Sequence, residues 1–222
     1  MITHYDWAGG REAMLRFGPA EGPVVVAALP LLEEANRTRA FAVTILRALA
    51  ERGIAGALPD LPGTGESLVA TQDMTLETLR DAFAAAVAAQ ARPRYAFAIR
   101  SGALLDLAAD VAGRWHLAPS TGPELLREIA RIRQAGARVP DGEGEGPVEV
   151  AGNLVSPRLL DALAAAAPAL AARIVRLETD AKPADRKLPG SPLWRRAEPD
   201  NDPALAALVA DDIAAWVRAC EG

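Results

Sequence analysis

Along this chain the spacing of apolar residues switches back and forth between a strand-like and a helical period. Short apolar runs at 14–17 and 24–29 follow the turn signals Gly9-Gly10 and Glu21-Gly22-Pro23 and read as strands. From 37 to 52 the period becomes helical, with Phe41, Ile45, Leu46 and Leu49 on one face and Gly53 where a C-terminal cap belongs. A strand at 54–58 stops at Pro59-Asp60. After a glycine-rich loop, Leu76, Leu79, Phe83 and Val87 mark a second helix with Thr75 as its cap. A strand at 95–99, a helix at 101–111 and a strand at 115–118 continue the series. Successive βα units of this kind predict a mostly parallel sheet with helices on both faces, joined by right-handed crossovers.

The rhythm breaks between about 120 and 168. A charged amphipathic helix at 123–135, a glycine- and glutamate-rich linker at 140–146, a strand at 148–150 and a helix capped by Ser156 with Pro157 in its first turn predict a cap-like insertion over the sheet. A strand at 173–177 resumes the sheet. A helix at 203–219 closes it, with Leu205, Leu208, Val209, Ile213 and Trp216 on one face. With no internal repeat, residues 1–222 are expected to form one domain, below the ~250–300 residues at which single cores stop growing.

Charge and composition narrow the partners. The net charge is -5 with both signs interspersed, so no long-range field is expected to draw nucleic acid or an anionic membrane surface. The most apolar stretch, 24–32, is far shorter than the ~20 residues that span a bilayer, and the first residues do not look like a leader. Cys220 is the only cysteine, which excludes an internal disulfide and a thiolate metal site; a cytoplasmic location is expected. No metal or cofactor is expected either. Gly63-Thr64-Gly65 lacks the spacing of a phosphate-binding loop and reads as a tight turn after Pro62.

Ligands of open α/β sheets sit at the carboxyl ends of the strands. There, Ala98-Ile99-Arg100-Ser101-Gly102 takes the place of the GxSxG elbow, in which a strained strand-to-helix turn exposes a nucleophilic serine. The central residue is Arg100, whose guanidinium stays protonated and cannot be a nucleophile. Ser101, one step along, is expected to turn away from the pocket mouth. The only histidines are His4, in the first strand or arm, and His116, inside a predicted strand rather than in a loop after the last one; both read as structural. Asp180 falls at the usual position of a triad acid but has no histidine to orient.

Several segments resemble one family. Leu31-Leu32-Glu33-Glu34-Ala35-Asn36-Arg37-Thr38-Arg39, Pro59 to Ser67, Ile99-Arg100-Ser101-Gly102-Ala103-Leu104-Leu105, Ser120-Thr121-Gly122 through Arg131-Ile132-Arg133, Val148 to Gly152 and Gly190-Ser191-Pro192-Leu193-Trp194 are similar to exosortase A system-associated hydrolases of the second type. The resemblance covers nearly the whole chain from Val24 onward. It implies the α/β-hydrolase fold and a bacterial setting of exopolysaccharide synthesis and protein sorting, but no known reaction. The sequence departs from the family pattern at His116, where a Gln is usual, at Ala98, where a Gly is usual, and in a shortened region after Asp180.

Glu33, Glu34, Asn36, Arg37 and Arg39 are placed in the loop after the strand at 24–29, facing Arg100. An ion pair of Arg100 with Glu33 or Glu34 would offset the desolvation of a buried guanidinium. Alternatively, Arg100 at a helix N-terminus would receive a carboxylate or phosphate. Trp194 is expected either to line that pocket or to belong to the core. Glu124, Arg127, Glu128, Arg131 and Arg133 are expected to pair among themselves on a solvated face of the cap helix. Three functions stay open: a non-catalytic binder of a small anionic or acyl/glycan ligand, a hydrolase using Glu33 or Glu34 to activate water, and a structural partner for proteins of the exopolysaccharide and exosortase system.

Overall fold

The computed structural model describes residues 1–136 and 146–222. The linker expected at 140–146 therefore lies outside the described residues except for Gly146. An eight-stranded sheet runs in the order β1-β2-β4-β3-β5-β6-β9-β10. Its strands are β1 (Ile2–Trp7), β2 (Gly10–Phe17), β3 (Val24–Ala28), β4 (Ala55–Pro59), β5 (Arg94–Ile99), β6 (Gly113–Leu117), β9 (Arg173–Leu177) and β10 (Arg186–Leu188). A two-stranded ribbon pairs β7 (Val148–Val150) with β8 (Asn153–Val155). The hairpin of β1 and β2 adds antiparallel to β4, and all other pairs of the large sheet are parallel.

Alternation along the central strands sends side chains into two cores. Val24, Val26 and Ala28 face Leu79, Phe83 and Val87 of α2 (Leu76–Ala88). Val25 and Ala27 face Phe41, Ile45 and Leu49 of α1 (Glu33–Glu51), together with Val209, Ile213 and Val217 of α5 (Pro203–Glu221). Strands buried on both faces read as continuous apolar runs, as Val24–Ala28 does. Over the carboxyl edge lie α3 (Gly122–Gly136), the β7–β8 ribbon and α4 (Pro157–Leu163). The start of α4 is tied down through Ser156, whose Oγ accepts from Leu159 N (3.1 Å) and donates to the carbonyl of Met74 (2.8 Å).

Local signals place most boundaries. Thr75 caps α2 reciprocally with Thr78: Thr78 N donates to Thr75 Oγ1 (3.1 Å) and Thr75 N to Thr78 Oγ1 (3.0 Å). Thr75→Ala is expected to lower stability by about 1 kcal/mol in urea unfolding, and an unchanged midpoint would show that the cap is dispensable. Elsewhere the structure corrects the sequence. The segment 33–39 is the first turns of α1 rather than a loop. The helix expected at 101–111 is two short 3-10 turns, Arg100–Leu104 and Asp106–Ala108. Arginine side chains take the carbonyls that α-helical amides would otherwise meet: Arg80 Nε donates to Leu104 O (2.8 Å), and Arg114 Nη2 to Asp106 O (3.0 Å) and Ala109 O (2.8 Å).

Candidate functional site

At the end of β5 the backbone turns through Arg100 with φ 54°, a left-handed conformation unusual for a residue with a side chain. Gly102 then passes so close to β3 that a Cβ on it would lie 2.3 Å from the Ala28 carbonyl oxygen. This is the sharp strand-to-turn geometry the elbow reading requires, with Arg100 at its apex. Ser101 is fully buried and its Oγ accepts from Leu31 N (2.9 Å). The hydroxyl thus staples the elbow to the chain leaving β3, where Leu32 also has positive φ (58°).

Arg100 is nearly buried among three elements. Its Nη2 donates to Glu128 Oε1 of α3 at 2.6 Å, its Nε lies 3.5 Å from Glu34 Oε2 at the start of α1, and its guanidinium stacks 5.4 Å from the Trp194 ring centre. Glu34 is therefore a partner of Arg100, but the closer one is Glu128 on the cap helix. The Glu34 contact is an ion pair without a good hydrogen bond: Arg100 Nε and Glu34 Oε2 are both buried with no hydrogen-bond partner among the described residues. Burial pushes the Glu34 carboxyl up to about 7; Arg100 opposes this shift and the like charge of Glu128 adds to it. Burial would lower Arg100, but Glu34 and Glu128 outweigh it and hold the guanidinium above its usual value.

The remaining candidates separate. Arg37 donates from Nη1 to the Trp194 carbonyl (3.2 Å), and Arg39 pairs with Asp60 (2.8 Å). Glu33 lines a groove with Glu34, whereas Asn36 is exposed and borders a different, small cavity behind the Leu31–Leu32 turn. Asp180 is held by Arg176 Nη1 (2.7 Å) and the Lys182 amide (3.0 Å). His116 is buried in β6, its Nε2 2.7 Å from Asp106 Oδ2. Trp194 is almost fully buried, yet it forms part of the cavity wall.

Sequence reasoning missed the cationic cavity beside Arg100. About 380 Å³ in volume, it lies between α3, the ends of β6 and β9, and the 192–195 turn. Six cationic side chains line it (Arg100, Arg127, Arg131, Arg176, Lys182 and Arg195) against Glu124, Glu128 and Asp180. Glu124 and Glu128 do not pair within α3 among the described residues: Glu124 reaches Lys182, and Glu128 reaches Arg100. Asp180 takes Arg176. Arg127, Arg131 and Arg195 are left exposed at the cavity with no ion-pair partner among the described residues. The i, i+4 spacing of Arg127 and Arg131 was a signal in the sequence. Glutamates of the same helix hid it by offering local partners.

Among the described residues no group of three or more His, Cys, Asp or Glu side chains gathers as a metal site, and no helix is long and apolar enough to cross a membrane. No family profile and no curated protein matches the sequence. Solved structures do match. Est1E from Butyrivibrio proteoclasticus, solved with ferulic acid bound, is 15% identical with a TM-score of 0.62, over 97% of this chain and 97% of that one. A thermophilic esterase from Thermogutta terrifontis, solved with malate bound, is 17% identical with a TM-score of 0.54 over 100% of both chains. An epoxide hydrolase from Vigna radiata, 19% identical with a TM-score of 0.43, matches over 53% of this chain, which spans 39% of that protein's length. The full-length likenesses, together with the mostly parallel eight-stranded sheet and its flanking helices, show that the chain has the α/β-hydrolase fold.

Proposed function

We propose that this protein is a member of the α/β-hydrolase fold that has given up the serine triad and binds a small anionic ligand, carboxylate- or phosphate-bearing, at the carboxyl edge of the sheet. One observation carries the reading: three arginines without an ion-pair partner among the described residues, Arg127, Arg131 and Arg195, share a cavity with the Arg100 elbow in a protein whose net charge is -5. Guanidinia suit carboxylate and phosphate because their planar forks bond two oxygens at once. The nucleophile's position holds an ion-paired arginine, and the neighbouring hydroxyl is committed to Leu31 N. The motifs shared with exosortase-associated hydrolases support a cytoplasmic place in an exopolysaccharide and protein-sorting system, in which the ligand would be an anionic acyl or glycan species.

Calorimetric titration with glucuronate, inorganic phosphate and glucose tests the reading. The anions are expected to bind and glucose not to, with affinity lost in Arg127→Ala/Arg131→Ala; equal binding of glucose would sink it. Simple p-nitrophenyl esters are expected to turn over no faster than background. Ester hydrolysis abolished by Ser101→Ala would overturn the non-catalytic part.

A second reading has an observation of its own. Glu34, poised at about 7 beside Glu128 and Arg100, has the protonation behaviour of a general acid or base near neutral pH. Hydrolysis of an acyl-glycan bond that disappears in Glu34→Gln but survives in Ser101→Ala would favour this atypical hydrolase.

A further inference from the structure

Beside the cationic cavity, on the other side of Glu128 and Trp194, runs a second space of about 360 Å³ with a different lining. Leu31 and Leu32 from the chain leaving β3, Leu125, Ile129 and Ile132 from one face of α3, and Val150 from the ribbon give it an apolar wall. The two spaces share Glu128, Arg131, Trp194 and Arg195, so the arginines stand at the junction of a charged chamber and a groove that has an apolar wall but is also lined by Glu33, Glu34 and Arg37. Leu125, Ile129 and Val150 are buried, while Ile132 is 36% exposed at the rim.

Resting on the anion-binding reading, we infer that the ligand is an amphiphile: an acyl or alkyl chain in the Leu31–Ile129 groove and an anionic head at Arg127, Arg131 and Arg195. A free anion would use the charged chamber and leave the groove wet. A neutral lipid would fill the groove and leave three guanidinia without a counter-charge. Only a molecule with both ends matches the juxtaposition. Arg131 and Arg195 have aliphatic stems long enough to line the groove while their heads face the charged side. Trp194, stacked under Arg100, separates the chambers with a flat apolar face.

Chain-length dependence is the readout. Inorganic phosphate, butyl phosphate, octyl phosphate and octyl glucoside would be titrated, below their micelle concentrations, into the wild-type protein and into Ile132→Glu and Arg127→Ala/Arg131→Ala, all altered at exposed positions. Each methylene buried between butyl and octyl phosphate is expected to tighten binding by up to about fourfold, the equivalent of ~0.8 kcal/mol. Ile132→Glu, which puts a carboxylate at the groove, is expected to weaken octyl phosphate at least tenfold and inorganic phosphate by less than about twofold. The double arginine variant should weaken all three phosphates about tenfold or more. Equal affinity for inorganic, butyl and octyl phosphate would overturn the amphiphile while leaving anion binding intact. Octyl glucoside binding as tightly as octyl phosphate, or octyl phosphate indifferent to Ile132→Glu, would overturn it as well. If inorganic phosphate does not bind, or ignores the loss of both arginines, the underlying anion reading fails too.

Discussion

Asp212→Ala is expected to cost on the order of 4 kcal/mol of stability, a large share of what a domain of this size has. Asp212 lies on α5 with its side chain only 2% exposed, and it knits three strands to that helix. Trp115 of β6 donates to Oδ1 at 2.9 Å, Arg173 of β9 to Oδ1 at 2.6 Å and Oδ2 at 2.8 Å, and Arg186 of β10 to Oδ2 at 2.8 Å. Truncation would strand the indole N–H in the core and leave two guanidinia facing each other, so the loss exceeds that of one bond. The half-buried Arg173 and the exposed Arg186 side chains let water in and keep the figure from rising further. Burial alone would raise the Asp212 carboxyl, but bonds from Arg173, Trp115 and Arg186 bring it down to about 2, against an ordinary 3.8. A depressed carboxyl contributes stability above its unfolded value and loses it as pH falls through the folded one, here between roughly 4 and 2. Urea unfolding of the variant at pH 7, and of the wild type down to pH 2, checks both points. A loss under ~1 kcal/mol would mean that Asp212 is solvated.

Arg100→Ala is expected to cost on the order of 3 kcal/mol at pH 8 and much less at pH 5. Without the guanidinium, Glu34 and Glu128 face each other as bare charges, and acid relieves the repulsion by protonating Glu34, whose carboxyl is already pushed up by burial. The wild type should show the same logic in weaker form. Glu34 is raised from its ordinary 4.5 to about 7, so the folded state holds that proton more tightly than the unfolded chain. Its contribution is full below about 4.5 and is lost as pH rises through about 7, a decline on the order of 3 kcal/mol. Glu34→Gln, a mimic of the protonated form, should flatten the stability curve in that window and be no less stable than wild type at pH 8. Arg100→Leu combined with Glu34→Gln and Glu128→Gln should recover most of the loss of Arg100→Ala. Recovery of stability together with loss of anion binding would assign Arg100 to both tasks. An Arg100→Ala cost independent of pH would refute the three-way charge cluster.

The centre of the sheet was legible because its strands are buried on both faces. Val24–Ala28 and residues 95–99 of β5 stand out as apolar runs between turn residues, and Gly53, Thr75, Ser156 and Pro157 mark helix ends by local chemistry. Three strands were not legible, the first being β1, an edge strand of mixed polar and apolar residues that the sequence leaves open as a strand or an arm. β8 is three residues long, joined to β7 through Ala151 and Gly152, both at positive φ, and so has no period to detect. β10 is a charged edge strand, Arg186-Lys187-Leu188, which carries the marks that protect an edge and not those of a core.

The sequence by itself determined the order of the central strands and of the long helices and put Arg100 at the turn leaving β5, since both depend on residues close together in the chain. Only the tertiary structure decided what that arginine touches. Glu128 lies 28 positions from Arg100 and comes within 2.6 Å of it because α3 folds back over the sheet edge. Lys182 and Glu124 are brought together across 58 positions. Which carboxylate neutralises which cation is set by distance in space and by the cost of burying an unpaired charge, and neither is written in the spacing of a helix. The same choice leaves Arg127, Arg131 and Arg195 without an ion-pair partner among the described residues, because Glu128 and Asp180 go to the buried guanidinia of Arg100 and Arg176, and Glu124 goes to Lys182.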